Sequence, residues 1–116
     1  MLSALTTALT GLKAFVTKLD VNANNIANVN TDNFKKSRVE LQESTAGGVE
    51  VTISRVNTSG MLMEPDARTG QPQESSNVTI EEEIAEQITA RYAYEANILS
   101  VKTAEEMQKT LFDIKA

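Results

Sequence analysis

The sequence predicts a mainly α protein: two long terminal helices forming an antiparallel, coiled-coil-like pair, with a small β-hairpin and a long loop between them. Three observations predict it. Apolar residues recur at steps of three and four near the amino end; a second helical pattern fills the last third of the chain; and between them the period changes to two and then disappears. Residues 1–33 then hold the first helix and an Asn-rich turn, and 34–77 the hairpin and a Pro/Gly loop. Residues 78–116 hold the second helix, and 1–33 and 78–116 together make one helical domain.

The first helix rests on Leu2, Leu5, Leu9, Leu12, Val16, Leu19, Ala23 and Ile26, a strict a/d heptad series. A sustained period of 3.5 is the signature of a coiled-coil seam. Ser3 is a candidate N-cap, so the helix is expected over about residues 3–27. It ends where Asn28, Asn30, Asp32 and Asn33 gather, since short polar side chains bond their own backbone and favour turns. Val39 and Leu41 then alternate with Arg38, Glu40 and Gln42. After Ala46, Gly47 and Gly48, Val49, Val51 and Ile53 alternate with Glu50, Thr52 and Ser54, which reads as a hairpin. A lone hairpin is marginal in water, so it should lie on the helices or pair with another molecule.

From about 57 to 77 periodicity is lost, while Gly60, Pro65, Gly70 and Pro72 accumulate, and a long loop is expected. Thr79 with Glu82 forms a capping-box pattern, Asn77 is an alternative cap, and Glu81, Glu82 and Glu83 suit the positive end of a helix dipole. The second helix runs from there through Ile84, Ile88, Tyr94, Ile98, Val101, Ala104, Met107 and Leu111. At 1.5 Å per residue the helices measure roughly 38 and 52 Å, so a pair of them is an elongated rod. Stripes this long on a chain of 116 residues exceed what the chain can bury alone, which points to completion by neighbours. The subunit-interface candidates are Leu5, Leu9, Leu12, Val16, Leu19 and Ile26 on one helix, with Ile84, Ile88, Ile98, Val101 and Leu111 on the other.

Composition narrows the function. With three Phe, two Tyr and no Trp, the interior must be aliphatic. A net charge of -5 disfavours nucleic acid as a partner, because phosphate binding relies on Lys and Arg, and the group Lys35, Lys36, Arg38 is small. No His and no Cys are present, which removes thiol chemistry, the usual general base and most zinc ligand sets. An enzyme is therefore not expected, nor a cofactor. Glu81, Glu82, Glu83 and Glu86 could form an oxygen-only cation site, but a solvated helix start explains them without a metal. No stretch approaches the roughly 20 apolar residues that span a bilayer, so membrane insertion is not expected. Thr6, Thr7, Thr10 and Lys13 interrupt any signal-peptide reading of the first residues, and export without a cleaved signal is expected if the protein leaves the cytoplasm.

Two polar groups carry paired readings. The cluster Asn22, Asn24, Asn25, Asn28, Asn30 and Asn33 either caps its own helix end or offers amides to a partner, with Asn22 and Asn25 off the a/d seam and able to face another subunit. The knot Arg91, Tyr92, Tyr94, Glu95 and Asn97 is either a local i, i+4 pair with a Tyr against the opposite helix, or an interface anchor.

The stretch from Ala23 through Asn24, Asn25, Ile26, Ala27, Asn28, Val29, Asn30 and Thr31, followed by Phe34 and Lys35, resembles the amino-terminal signature of bacterial flagellar rod, hook and hook-associated proteins. Ser76, Asn77 and Val78, then Glu82, Glu83 and Ile84, Arg91, Tyr92, Tyr94, Glu95, Asn97 and the run from Lys102 to Met107 resemble the other end of the same family. By length the nearest branch is the FlgC-like proximal rod. The family pattern usually has Gly two residues after the Thr, where this chain has Asn33; Asn tolerates left-handed geometry best among the other residues, so the turn can survive.

The resemblance implies a structural axial subunit of the flagellar basal-body rod, in the periplasm-spanning part of the flagellum. It implies passage through the flagellar type III export apparatus, self-association, and contact with other rod and axial proteins through both terminal helices. The alternative is a soluble helical adaptor or flagellar export chaperone that uses the same stripe to bind one client helix.

Overall fold

The computed structural model describes residues 2–115, with Leu2 described by its backbone alone, so the side chain that opens the heptad series lies outside the described residues. The element order is α1 (Leu2–Ala27), β1 (Ser37–Glu43), β2 (Val49–Arg55), β3 (Leu62–Met63), β4 (Gln73–Glu74) and α2 (Ile80–Lys115). The molecule measures 77 × 26 × 18 Å. It is the elongated, mostly helical shape expected, with two long helices packed on each other and a small antiparallel hairpin connected between them.

The helices run antiparallel: Asn25 meets Glu83, Asn22 reaches Glu86 and Gly11 backs onto Asn97, each step down α1 matched by an equal step up α2. Gly11, Ala14, Asn22 and Asn25 are buried on α1, and Glu83 and Ala90 on α2. The packed line is thus small or polar, and it lies one position away from the Leu series. A Cβ on Gly11 would stand 2.5 Å from the Asn97 Nδ2, so glycine there leaves room for the Asn97 side chain in the seam. Helix α1 begins at Leu2, which places Ser3 inside the first turn and corrects its reading as the cap.

β1 and β2 pair from Ser37 with Arg55 to Glu43 with Val49. Directly opposed residues share a face, so Val39, Leu41, Val49, Val51 and Ile53 form one apolar side, as their alternation requires. The hairpin lies along α1 and is pinned at both ends. At its base, Asn25 Nδ2 donates to Ser37 O at 2.9 Å while Ser37 N donates to Asn25 Oδ1 at 3.0 Å. At its tip, Val49 N donates to Thr10 Oγ1 at 3.0 Å, and Gly48, with φ 92°, rests so closely on the Thr10 side chain that no Cβ would fit. Fifteen helical residues and seven strand residues both span about 23 Å, which is why the hairpin reaches from Asn25, at Ser37 of β1, to Thr10, at Val49 of β2.

The segment expected as a featureless loop contains a ladder: Leu62 pairs with Glu74 and Met63 with Gln73. Two pairs are too short to imprint an alternation on the sequence. Asn33 adopts φ 60°, the left-handed geometry anticipated for it, and fastens this ladder to the end of α1. Its N donates to Glu74 O at 2.8 Å and its Oδ1 accepts from Glu74 N at 3.1 Å. Asn77 does not cap α2. Its Oδ1 accepts from Lys36 N at 2.7 Å and its Nδ2 donates to Val56 O at 2.9 Å, stitching three segments together, while Thr79 occupies the N-cap and its carbonyl accepts from Glu83 N at 3.1 Å.

Candidate functional site

Apart from Val101 and Leu111, the interface candidates fall on a surface built by both helices. On α1, Leu5, Leu12, Leu19 and Ile26 stand one residue beyond the inward series that includes Gly11, Lys18 and Asn25; on α2, Ile84, Ile88 and Ile98 stand one residue beyond Glu83, Gln87 and Asn97. One residue is a turn of 100°. Two antiparallel helices turned by the same angle from their mutual contact expose the same side, so the two stripes lie next to each other. A groove lined by Leu19, Gln87, Ile88 and Arg91 joins them.

The hairpin covers the opposite side. It contacts Thr10, one residue before Gly11, and Lys36 pairs with Glu82 at 3.3 Å, one residue before Glu83. The composite apolar face is left bare. Leu9 is 50% exposed, Val16 42%, Ile84 44%, Ile88 51% and Ile98 44%, while Leu5, Leu12, Leu19 and Ile26 are half-buried. Val101 falls on the inward series and is half-buried, and Leu111, half exposed, lies past the level of Leu2.

A second apolar stripe, which the sequence reading did not separate from the first, follows the side of α2 turned away from α1. Tyr92, Leu99, Met107 and Ile114 are all more than half exposed there, over shallow grooves that continue to the end of the helix. The signal was available: these residues also recur at near-heptad spacing, but merged with the first stripe they looked like one broad pattern.

The polar candidates divide. Asn22 and Asn25 do not face another subunit; they are buried in their own chain, both donating to Glu83 Oε2, at 2.6 and 3.2 Å. Asn28 caps its own helix, donating from Nδ2 to Asn24 O at 2.9 Å, and Thr31 Oγ1 donates to Asn28 Oδ1 at 3.0 Å. Asn24, Asn30 and Thr31 are exposed and Phe34 is half-buried. Lys35 forms an ion pair with Glu74. Arg91 and Glu95 make the local pair, 3.1 Å apart and both exposed, while Tyr94 and Asn97 are half-buried on the inward series. The acidic run divides: Glu82 turns to Lys36, while Glu83, in the seam, and Glu86 both accept from Asn22 Nδ2. Among the described residues no group of three or more acidic side chains is arranged to hold a metal ion, and no helix is long and apolar enough to cross a membrane.

The chain is thus a helical module closed inside by small and polar groups and open outside along apolar stripes. The comparisons make that description specific. A family model described as flagella basal body rod protein matches residues 5–35, and one described as flagellar basal body rod FlgEFG protein C-terminal matches residues 72–114. The flagellar basal-body rod protein FlgG of Bacillus subtilis (strain 168) is 54% identical over 52 residues, covering 41% of this chain and 20% of that protein. The flagellar hook protein FlgE of Borreliella burgdorferi (strain ATCC 35210 / DSM 4680 / CIP 102532 / B31) is 42% identical over 62 residues, 50% of this chain and 14% of that protein. The chain belongs to the flagellar basal-body rod and hook protein family. The matched stretch spans a fifth or less of either relative, and neither relative supports the narrower FlgC-like assignment drawn from length.

Proposed function

We propose that the chain is a non-enzymatic axial subunit of the bacterial flagellar rod or hook, joined to its neighbours through the faces of its two terminal helices. The observation that carries this reading is the bare apolar face shared by α1 and α2, with Leu9, Val16, Ile84, Ile88 and Ile98 all at least 42% exposed. Burying apolar surface stabilises by about 25 cal/mol per Å², so a stripe running the length of two helices is a large reserve that only a neighbour can use. In this reading Leu5, Leu9, Leu12, Val16, Leu19 and Ile26 meet helices of adjoining subunits, and Ile84, Ile88, Ile98, Val101 and Leu111 complete the contact. The partners are further copies and other axial proteins, and delivery is through the flagellar export apparatus to the basal body.

The test is to delete the gene, image purified basal bodies by electron microscopy, and complement with the intact chain and with one lacking its first 28 residues. Rods or hooks missing in the deletion strain and restored by the intact chain alone are the expected result. Normal axial structures in that strain would overturn the reading, and a defined one-to-one complex with a single client would replace it by the adaptor.

A further inference from the structure

The seam between the helices holds a group that close packing alone does not require. Glu83, 4% exposed, places a carboxylate between α1 and α2, bonded to the amides of Asn22 and Asn25, and Asn25 is itself bonded twice to Ser37. The Oδ1 of Asn22 is buried with no hydrogen-bond partner, so the cluster is not optimised for stability. A buried polar group in a helix seam has its best-attested use in fixing register.

The remainder of the seam discriminates poorly between registers. Gly11, Ala14 and Ala90 are small and alike, and inward positions recur every seven residues. Sliding α2 by one heptad, about 10 Å, brings Ala90 to Gly11 and Glu83 to Lys18, an ion pair in exchange for the two amides. Sliding it the other way brings Ala104 to Gly11 and Ala90 to Asn25, and carries Glu83 past the end of α1. Neither alignment meets bulk at these positions. Each loses the bonding of Asn22 and Asn25 to Glu83, together with the ties of Asn77 to Lys36 and Val56 that hold the start of α2.

We propose that Glu83 is a positioning residue, a register lock held by Asn22 and Asn25 that selects the one alignment in which Leu12 stands near Ile98, Leu19 beside Ile88 and Ile26 near Ile84. It deepens the assembly reading, because that alignment decides which residue of the α1 stripe stands beside each Ile of α2 on the bare face. The distance measurement below needs no assembly, so it fails or succeeds independently of whether rods require this chain.

The chain has no cysteine, so Ala4→Cys with Glu81→Cys gives two unique spin-label sites on the full chain, about 35 Å apart along the axis in the native register. One distance population is expected in this background and with Glu83→Gln, which keeps the shape and an acceptor oxygen. Glu83→Leu should add a population displaced by about 10 Å, and Asn22→Ala with Asn25→Ala should shorten the distance by about 10 Å as Glu83 moves to Lys18. A folded Glu83→Leu chain with a single unshifted distance overturns the proposal. So does a Glu83→Leu chain that unfolds while Glu83→Gln does not, because the acceptor oxygen that both Glu and Gln offer to Asn22 and Asn25 would then serve stability and not register.

Discussion

The seam and the bare face of the helix pair are made from opposite materials. Inside, α1 meets α2 through Gly11, Ala14, Asn22 and Asn25 against Ala90, Glu83 and Asn97; outside, the same helices present Leu, Ile and Val. In a self-sufficient bundle the arrangement is reversed, with large aliphatic residues between the helices and polar ones in water. Directional polar contacts join the helices within this chain, and on the proposed function the non-directional apolar surface is what serves association.

Substitutions should therefore have different consequences on the two surfaces. The largest effect is expected from Ile98→Asp or Leu12→Asp: each buries an unpaired charge once a neighbour covers it, and assembly should be abolished, with no axial structures in micrographs. Ile98 is 44% exposed in the single chain, so circular dichroism of the Ile98→Asp chain should keep its helix content. On the seam, Asn25→Ala removes the bonds to Ser37 and one to Glu83 and should cost about 3 kcal/mol in urea unfolding, with faster hydrogen exchange at the hairpin base. Gly11→Val forces a side chain against Asn97 and should cost about 2 kcal/mol by the same measurement. The smallest effect belongs to Asn33→Ala, where φ 60° disfavours alanine by about 1 kcal/mol; Asn33→Gly should recover the backbone term but not the Asn33 side-chain bond to Glu74. An Ile98→Asp chain that assembles normally would remove the distinction between the surfaces.

Much of the architecture was legible because periodicity reports it directly. The Leu5 to Ile26 series marked α1, and the alternation around Val39 and Val51 marked the hairpin with both strands in place. What periodicity could not give was the packed line, because Gly11, Ala14 and Asn22 carry little hydrophobic signal and a scan for apolar residues passes over them. Glu83 was hidden in a run of three Glu, each already explained by the helix dipole, and only the fold distinguishes the one that turns inward. Asn77 resembled a cap because Asn beside a helix start usually is one; its place between Lys36 and Val56 depends on segments about twenty and forty residues away.

The hairpin sits on one side of the helix pair only, fastened at Thr10 and Asn25. If copies meet through the bare face, as proposed above, the hairpins stand on the far side of every contact, and the two seven-residue strands are the surface that each copy keeps free.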